Sequence, residues 1–264
     1  MKAIVVRQFG APDVMRVEDV PLPQPLDGQV LVAVRAAGIN PVDTYIRSGQ
    51  YAKIPQLPYT PGMDGAGVVH AVGTLAKRFS VGDRVYIAGS ISGTYAEYSL
   101  CLESHIHPLP ERVSFEQGAS LGVPYGIAYK ALFHRALAQP GETVLIHGGS
   151  GGVGIAAIQL ARSHGMNIIA TAGSESGLEF LIAQGAHHAI NHRLDNHFEQ
   201  IMVKTNENGV DLILEMAAHS NLGRDLKILA KGGRVVVIGS RGPVEIDARD
   251  AMSREASILG ALLF

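Results

Sequence analysis

The sequence predicts an α/β protein in two parts: a β-rich part over residues 1–124, then a doubly wound parallel sheet over residues 125–264. Three observations carry this. The first half holds short β-branched runs separated by turn residues. From Thr143 onward, apolar strands alternate with helix-length segments. Between the first of those strands and its helix lies a glycine-rich stretch, HGGSGGVG, at residues 147–154.

Taken in order, Met1–Arg7, Gln29–Ala36, Gly65–Val72 and Asp83–Ile87 are expected strands by β-branched content and alternation. Turn signals separate them: Pro21, Pro23 and Pro25, then Asp27-Gly28, Pro61-Gly62 and Gly82-Asp83. Short strands with frequent turns suggest a small barrel or folded sheet. A helix is expected over Tyr125–Ala138, running into Pro140-Gly141. Strands then follow at Thr143–His147, Asn167–Thr171, His188–Asn191, Asp211–Glu215 and Arg234–Ile238. Helices follow at Gly152–His164, Ser176–Gln184, Asn196–Lys204 and Asn221–Leu229. Alternating strands and helices give a parallel sheet covered on both faces. Ser257–Phe264 reads as a last strand that stops without a cap or polar tail.

Of 264 residues, 47% are hydrophobic and 17% charged, which supports a large core and excludes a disordered chain. The net charge is −2, without the basic excess of a duplex nucleic-acid binder. The single cysteine, Cys101, rules out an intrachain disulfide and a cysteine zinc cluster. The N-terminal apolar run, Ala3 to Val6, is too short for a signal-peptide core, and no uncharged apolar run approaches the ~20 residues that cross a bilayer. A cytoplasmic protein with no membrane partner is the expectation.

Gly149, Gly151 and Gly154 satisfy G-x-G-x-x-G in its diagnostic context, after a strand and at the opening of a helix. Gly149 is expected to permit the tight turn, Gly151 to let the backbone approach a pyrophosphate, and Gly154 to let the helix pack on the sheet. The free N–H groups of the helix start favour phosphate. An NAD site usually has Asp or Glu at the end of the second strand, and here that place is Gly173. NADP(H) is therefore expected, although Glu175 stands two positions on. The loop itself has no Lys or Arg, so a 2′-phosphate needs His192 and Arg193, or Arg241, as partners. Among the 11 histidines, His187, His188, His192 and His197 lack metal-ligand spacing and read as loop imidazoles. His147 reads as packed, and His105 and His107 carry no further sign.

With these parts in place, the chain resembles the medium-chain dehydrogenase/reductase superfamily, and within it the quinone oxidoreductases of the zeta-crystallin type. The resemblance runs through AAGINPVDTYIRSGQY (36–51), PYTPGMDGAGVV (58–69), ISGTYAEY (91–98), IHGGSGGVG (146–154), TAGSESG (171–177), GAHHAINHR (185–193), GGRVVVIGSRG (232–242) and ASILGALLF (256–264). It implies a GroES-like catalytic domain over 1–124 and a Rossmann NADP(H)-binding domain over 125–264. It implies NADPH-dependent reduction of quinones, ortho-quinones preferred, by one-electron transfer to a semiquinone. Where the superfamily's zinc alcohol dehydrogenases carry catalytic ligands, this chain has Asn40, Met63 and Asp64, so no metal is expected.

The cofactor contacts carried over are Tyr45, Ser150, Gly151, Gly152, Val153, Gly173, His192, Asn221, Ile238, Gly239, Ser240, Arg241, Ala261, Leu262 and Leu263. Asn40, Tyr45, Tyr51 and Tyr59 would line the substrate cleft, with loop packing against Pro55 and Pro58 as the other reading of Tyr51 and Tyr59. No nucleophile or essential general base is expected. Relatives form homodimers or homotetramers, and Ser257–Phe264 could serve as the shared edge.

Two departures stand out. Ile127 occupies a place where relatives often have Thr. The chain is also about 60 residues short of the family's length, so the C-terminal return of the catalytic domain is expected to be missing. The other readings are an NADPH-dependent reductase of activated C=C bonds, and a protein binding AU-rich RNA or serving as a lens crystallin. The last rests on the resemblance alone.

Overall fold

Lys2–Val6 (β1) alternates apolar side chains and pairs antiparallel with Met15–Asp19 (β2), Val6 opposite Met15. The structure, a computed structural model, describes residues 1–263 of two units, Met1–Val123 and Pro124–Phe264. In the first unit Gln29–Gly38 (β3) lies between Asp64–Val72 (β4) and Tyr98–Leu102 (β6). Arg84–Ala88 (β5) and Ile106–Pro108 (β7) complete an antiparallel sheet in the order β6-β3-β4-β5-β7. Val30, Val32, Val69, Val85, Ile87, Cys101 and Ile106 point to one side and close over Phe79. At Gly67 the backbones of β3 and β4 run so close that a Cβ would collide with the Ala33 carbonyl.

The four expected strands of this half form, with ends shifted by up to two residues. Three further short strands carry little signal of their own. MRVED (β2) is largely exposed, YSLCL (β6) interleaves a serine and a cysteine among its apolar residues, and IHP (β7) is three residues long. Their pairing is set by neighbours rather than by their own periodicity. The helices Pro41–Arg47 (α1) and Phe115–Gly118 (α2) are likewise additions to the expected elements. Pro41 opens α1 after Asn40, and Ser114 Oγ accepts from Gln117 N to cap α2.

The second unit has six parallel strands: Thr143–Ile146 (β8), Asn167–Ala172 (β9), His188–Asn191 (β10), Val210–Glu215 (β11), Leu229–Val237 (β12) and Ser257–Gly260 (β13). Their order is β10-β9-β8-β11-β12-β13. The chain builds outward from β8 in one direction and then outward from β11 in the other. The reversal leaves a crevice beyond the carboxyl ends of β8 and β11, the usual ligand position in such sheets. Val144, Ile146, Ile168, Ala170 and Leu214 face Gly152–Ser163 (α4) and Glu175–Gln184 (α5). Leu145, Ile169, Ile213 and Val235 face the other way, toward His197–Lys204 (α6) and Ala218–Ile228 (α7). A short helix, Ala248–Arg254 (α8), precedes β13. No helix among the described residues is long and apolar enough to cross a membrane.

Two expectations need correction here. The helix expected over Tyr125–Ala138 is α-helical only over Gly122–Tyr129 (α3) and continues as a π-helical turn over Lys130–Arg135. Lys130 Nζ and Arg135 Nε, from the two ends of that turn, both reach the C-terminal segment, donating to the carbonyls of Leu262 at 2.6 Å and Gly260 at 2.8 Å. The chain then leaves the helix through Leu137, whose φ is 51°. The strand expected over Ser257–Phe264 ends at Gly260. Ala261 N still bonds Val237 O at 2.9 Å, while Leu262 is held by Lys130 instead of a neighbouring strand. Phe264 lies outside the described residues.

Arg234 of β12 fixes the amino end of this sheet. Its guanidinium meets Glu142 in a fork, Nη1 to Oε1 at 2.8 Å and Nη2 to Oε2 at 2.7 Å. It also donates to Ala136 O at 2.9 Å and Asp211 O at 3.0 Å. Both charged groups are mostly shielded, so the geometry carries weight that a surface pair lacks. Arg234→Ala is expected to lower stability by about 2 kcal/mol, with less than half recovered in Arg234→Lys, which keeps the charge but loses the fork. Urea denaturation of the two variants checks this.

Candidate functional site

The glycine loop lies where the crevice opens. β8 ends at Ile146, Gly148–Gly151 turn, and α4 starts at Gly152 with no side chain capping its free N–H groups. The left-handed residue is Gly148, at φ 60°, and not Gly149 as the motif suggests. Gly149 is needed for a different reason. A Cβ there would stand 2.7 Å from Leu181 Cδ2 and 3.0 Å from Ala170 Cβ. At Gly154 a Cβ would stand 2.5 Å from Gly149 Cα, so helix and loop touch backbone to backbone. Thr171 holds the loop from the next strand, its Oγ1 accepting from Gly148 N at 3.1 Å and its carbonyl from Gly149 N at 2.8 Å. Ser150, Gly151 and Gly152 remain exposed. The space over Gly151 holds only Gly148 O, at 3.4 Å from a built Cβ. Backbone donors, an open face and a helix dipole together suit a pyrophosphate.

Gly173 follows β9. A Cβ on it would meet His192 Nε2 at 2.8 Å and Arg193 Nε at 3.0 Å. Two nitrogenous side chains from the end of β10 therefore converge where an NAD-selective carboxylate would sit. Burial, with His197, His147 and Arg193 nearby, holds His192 below the ordinary imidazole range, which leaves Arg193 as the fixed charge of the pair. Arg241 is exposed beyond β12, its N–H bonded to His219 Nδ1 at 3.1 Å. Ile238 N and Gly239 N donate to the Glu215 carbonyl at 2.9 and 3.2 Å, and Asn221 Nδ2 lies 3.4 Å from Glu215 Oε1. These expected contacts thus gather around the end of β11. Leu263 packs against Gly126 on α3. Ile127 is 5% exposed and belongs to the core.

The four sequence-clustered histidines do not assemble. The group of donor side chains that does, among the described residues, is His147, Glu215 and Asp225, all buried. His147 is packed, as its strand-end position suggests. Its two carboxyl partners lie 68 and 78 residues away, beyond the reach of any local pattern.

In the first unit, Asn40 opens a buried polar network. Asn40 Nδ2 donates to Asp64 Oδ2 at 2.9 Å, and Val123 N donates to both Asp64 oxygens at 2.9 Å. Asn40 N and Tyr95 Oη donate to Asp43 Oδ2 at 2.8 and 2.9 Å. Burial pushes the Asp64 carboxyl up to about 6, its hydrogen bonds pulling it only partway back. Tyr59 Oη is buried without a partner, and burial plus the Asp43 charge raise its pKa. Asn40 and Tyr59 thus come together with Asp43, Asp64 and Tyr95. Tyr45 on α1 and Tyr51 just after it are half-buried. Asp43 and Tyr95 are additions to the residues expected from sequence. The Asn40–Asp43 capping spacing is the available signal for the first, and nothing local marks the second.

A zinc ion of the alcohol-dehydrogenase kind does not fit these residues. The matching positions offer an amide, a thioether and a carboxylate, and Asp64 already receives three hydrogen bonds.

Residues 26–111 match the family described as Alcohol dehydrogenase GroES-like domain, and residues 152–264 match Zinc-binding dehydrogenase. A quinone oxidoreductase of Homo sapiens is 51% identical over 265 residues, covering 100% of this chain and 80% of that protein. The fold matches a solved NAD-dependent alcohol dehydrogenase with a TM-score of 0.93 at 31% identity, covering 99% of this chain and 84% of the other. It matches Escherichia coli quinone oxidoreductase complexed with NADPH with a TM-score of 0.89 at 29% identity, covering 100% and 81%.

The Asp64 carboxyl binds a proton more tightly in the folded chain than in the unfolded one. Its contribution to stability is therefore complete below the ordinary carboxylate pKa and lost as pH rises through about 6. Between pH 4 and 7, wild-type stability should fall by about 2 kcal/mol relative to Asp64→Asn, which cannot ionise. Parallel urea titrations across that range measure it.

Proposed function

Since this chain belongs to the quinone oxidoreductase family of medium-chain dehydrogenases/reductases, we propose that it reduces quinones with NADPH as electron donor. The finer reading is one-electron reduction of ortho-quinones. Bound at the glycine loop, NADPH supplies the reducing equivalents. The rest is binding and orientation by the chain itself. The N–H groups of Ser150, Gly152 and Val153, which bond nothing in the loop, receive the pyrophosphate, and the β8–β11 crevice takes the dinucleotide. Arg193, beside Gly173, takes the 2′-phosphate as a bidentate partner, with His192 as a neutral donor.

On the substrate side, Tyr59 keeps its proton through neutral pH, because burial and Asp43 oppose ionisation. Its hydroxyl has no partner and is buried, so it donates to a quinone oxygen once the side chain turns toward the cleft. Tyr45 and Tyr51 offer flat faces for a planar ring, and Asn40 is held in place by Asp64. A quinone accepts electrons without Lewis-acid activation, which suits a donor set that zinc does not fit.

The observation that carries the NADPH reading is the crowding of Gly173 by His192 and Arg193. It outweighs the likeness to an NAD-dependent alcohol dehydrogenase, because cofactor choice is made by these few side chains and not by the fold. Titration with NADPH and NADH tests it. The wild type should prefer NADPH. Arg193→Ala should cost about tenfold in NADPH affinity and leave NADH unchanged, and Gly173→Asp should cost NADPH about a hundredfold by placing a carboxylate against the phosphate. Equal losses for both nucleotides in Arg193→Ala would remove Arg193 from the phosphate site. Turnover with ortho-quinones then tests the substrate.

A further inference from the structure

At the carboxyl ends of β8 and β11 three ionisable side chains meet out of reach of solvent. His147, Glu215 and Asp225 are 4%, 0% and 0% exposed. One donor atom from each lies within 4.8 Å of the others. His147 Nε2 stands 2.9 Å from Asp225 Oδ1 and 3.6 Å from Glu215 Oε2. Glu215 Oε1 accepts from Ala217 N and lies within reach of Asn221 Nδ2. Glu215 Oε2 and Asp225 Oδ2 are left buried with no partner. Two buried carboxylate oxygens without a partner are costly, and a proton held between the carboxyls makes one of them a donor.

The cluster sits under the cofactor loops. His147 leads directly into the glycine turn, and its N–H bonds Leu214 O across to β11. The Glu215 carboxyl receives Ala217 N and, at 3.4 Å, Asn221 Nδ2, while Ile238 N and Gly239 N bond its main-chain carbonyl. The Glu215 carboxyl thus holds the segment after β11, and the cluster links that segment to the end of β8 through His147.

We propose that Glu215 and Asp225 are positioning residues for the cofactor. Sharing one proton, they hold the ends of β8 and β11 in register. Release of that proton to solvent places two like charges side by side and loosens the segment after β11 and the end of β8, which the carboxyls hold. The proposal rests on the reading of residues 148–154 as the cofactor loop.

Several titratable and charged groups face this pair. Burial pushes both carboxyls up to about 7. His147 just after β8, His197 on α6 and His192 after β10 are all held below the ordinary imidazole range, chiefly by burial. Arg224 on α7, stacked over Phe198 at 3.9 Å, is the fixed cation facing the cluster, and it offsets part of the rise at Asp225.

The test is NADPH affinity of the full chain, by fluorescence titration at constant ionic strength between pH 7 and 8.5, with kcat at saturating NADPH measured alongside. Wild-type Kd is expected to rise about tenfold over this range, while kcat moves less than Kd, since one proton allows at most a tenfold change per unit of pH. Glu215→Gln, neutral at every pH, should flatten the slope, and Glu215→Ala should weaken NADPH at every pH. Asp225→Asn carries the same expectation as the glutamine variant if that one fails to fold, and the wild-type slope needs no variant. A flat wild-type profile, or a glutamine variant with the wild-type slope, overturns the proposal. A folded wild type that binds neither NADPH nor NADH at any pH overturns the cofactor reading and this proposal with it, an outcome distinct from tight binding without a slope.

Discussion

How closely α4 can approach the end of β8 governs what the second unit can do. Only because Gly154 and Gly149 lack side chains can the helix begin against the loop backbone. That approach brings uncapped N–H groups to the carboxyl edge of the sheet, at the reversal between β8 and β11. Thr171 then ties the loop to β9, so the glycine turn and Gly173 are positioned by one strand. The shape of the glycine turn and the placement of Gly173, two residues beyond Thr171, both follow from that close approach.

Each unit buries a pair of carboxyl side chains, and the two pairs are handled differently. In the first unit Asp64 and Asp43 share their burden with backbone N–H groups, the Asn40 amide and the Tyr95 hydroxyl. Those donors also complete the start of α1, so the polar network is part of the helix cap. In the second unit Glu215 and Asp225 face one imidazole and each other, and two oxygens remain unsatisfied. The first arrangement is saturated and shapes a surface. The second is short of one donor, and its state follows its proton count.

The Rossmann half is legible in the sequence because its signals are local. The βα alternation, the glycine spacing and the missing acidic residue at Gly173 all sit within short windows, and His192 and Arg193 are the nearest basic candidates beside it. The first half is less so, because strands such as MRVED and IHP are selected by the strands they pair with. The motif assigns the turn to Gly149, whereas the structure gives it to Gly148 and uses Gly149 for packing. A glycine can be required for its φ or for its missing Cβ, and the spacing alone does not say which. The π-helical turn is hidden because its purpose lies 125 and 132 residues further on, in the carbonyls that Arg135 and Lys130 reach. The buried His147–Glu215–Asp225 cluster is hidden for the same reason of distance.

The strand order also has a consequence for synthesis on the ribosome. β8 pairs with β9 soon after it emerges, but its other neighbour is β11. At about 5–20 residues per second, the roughly 60 residues between β8 and β11 take several seconds to appear. During that interval the apolar inner edge of Val144, Leu145 and Ile146 has no partner, and the nascent half-sheet presents a template for adventitious pairing. The strand that later lies at the centre of the sheet, and from which the glycine loop springs, therefore waits longer for its second neighbour than for its first.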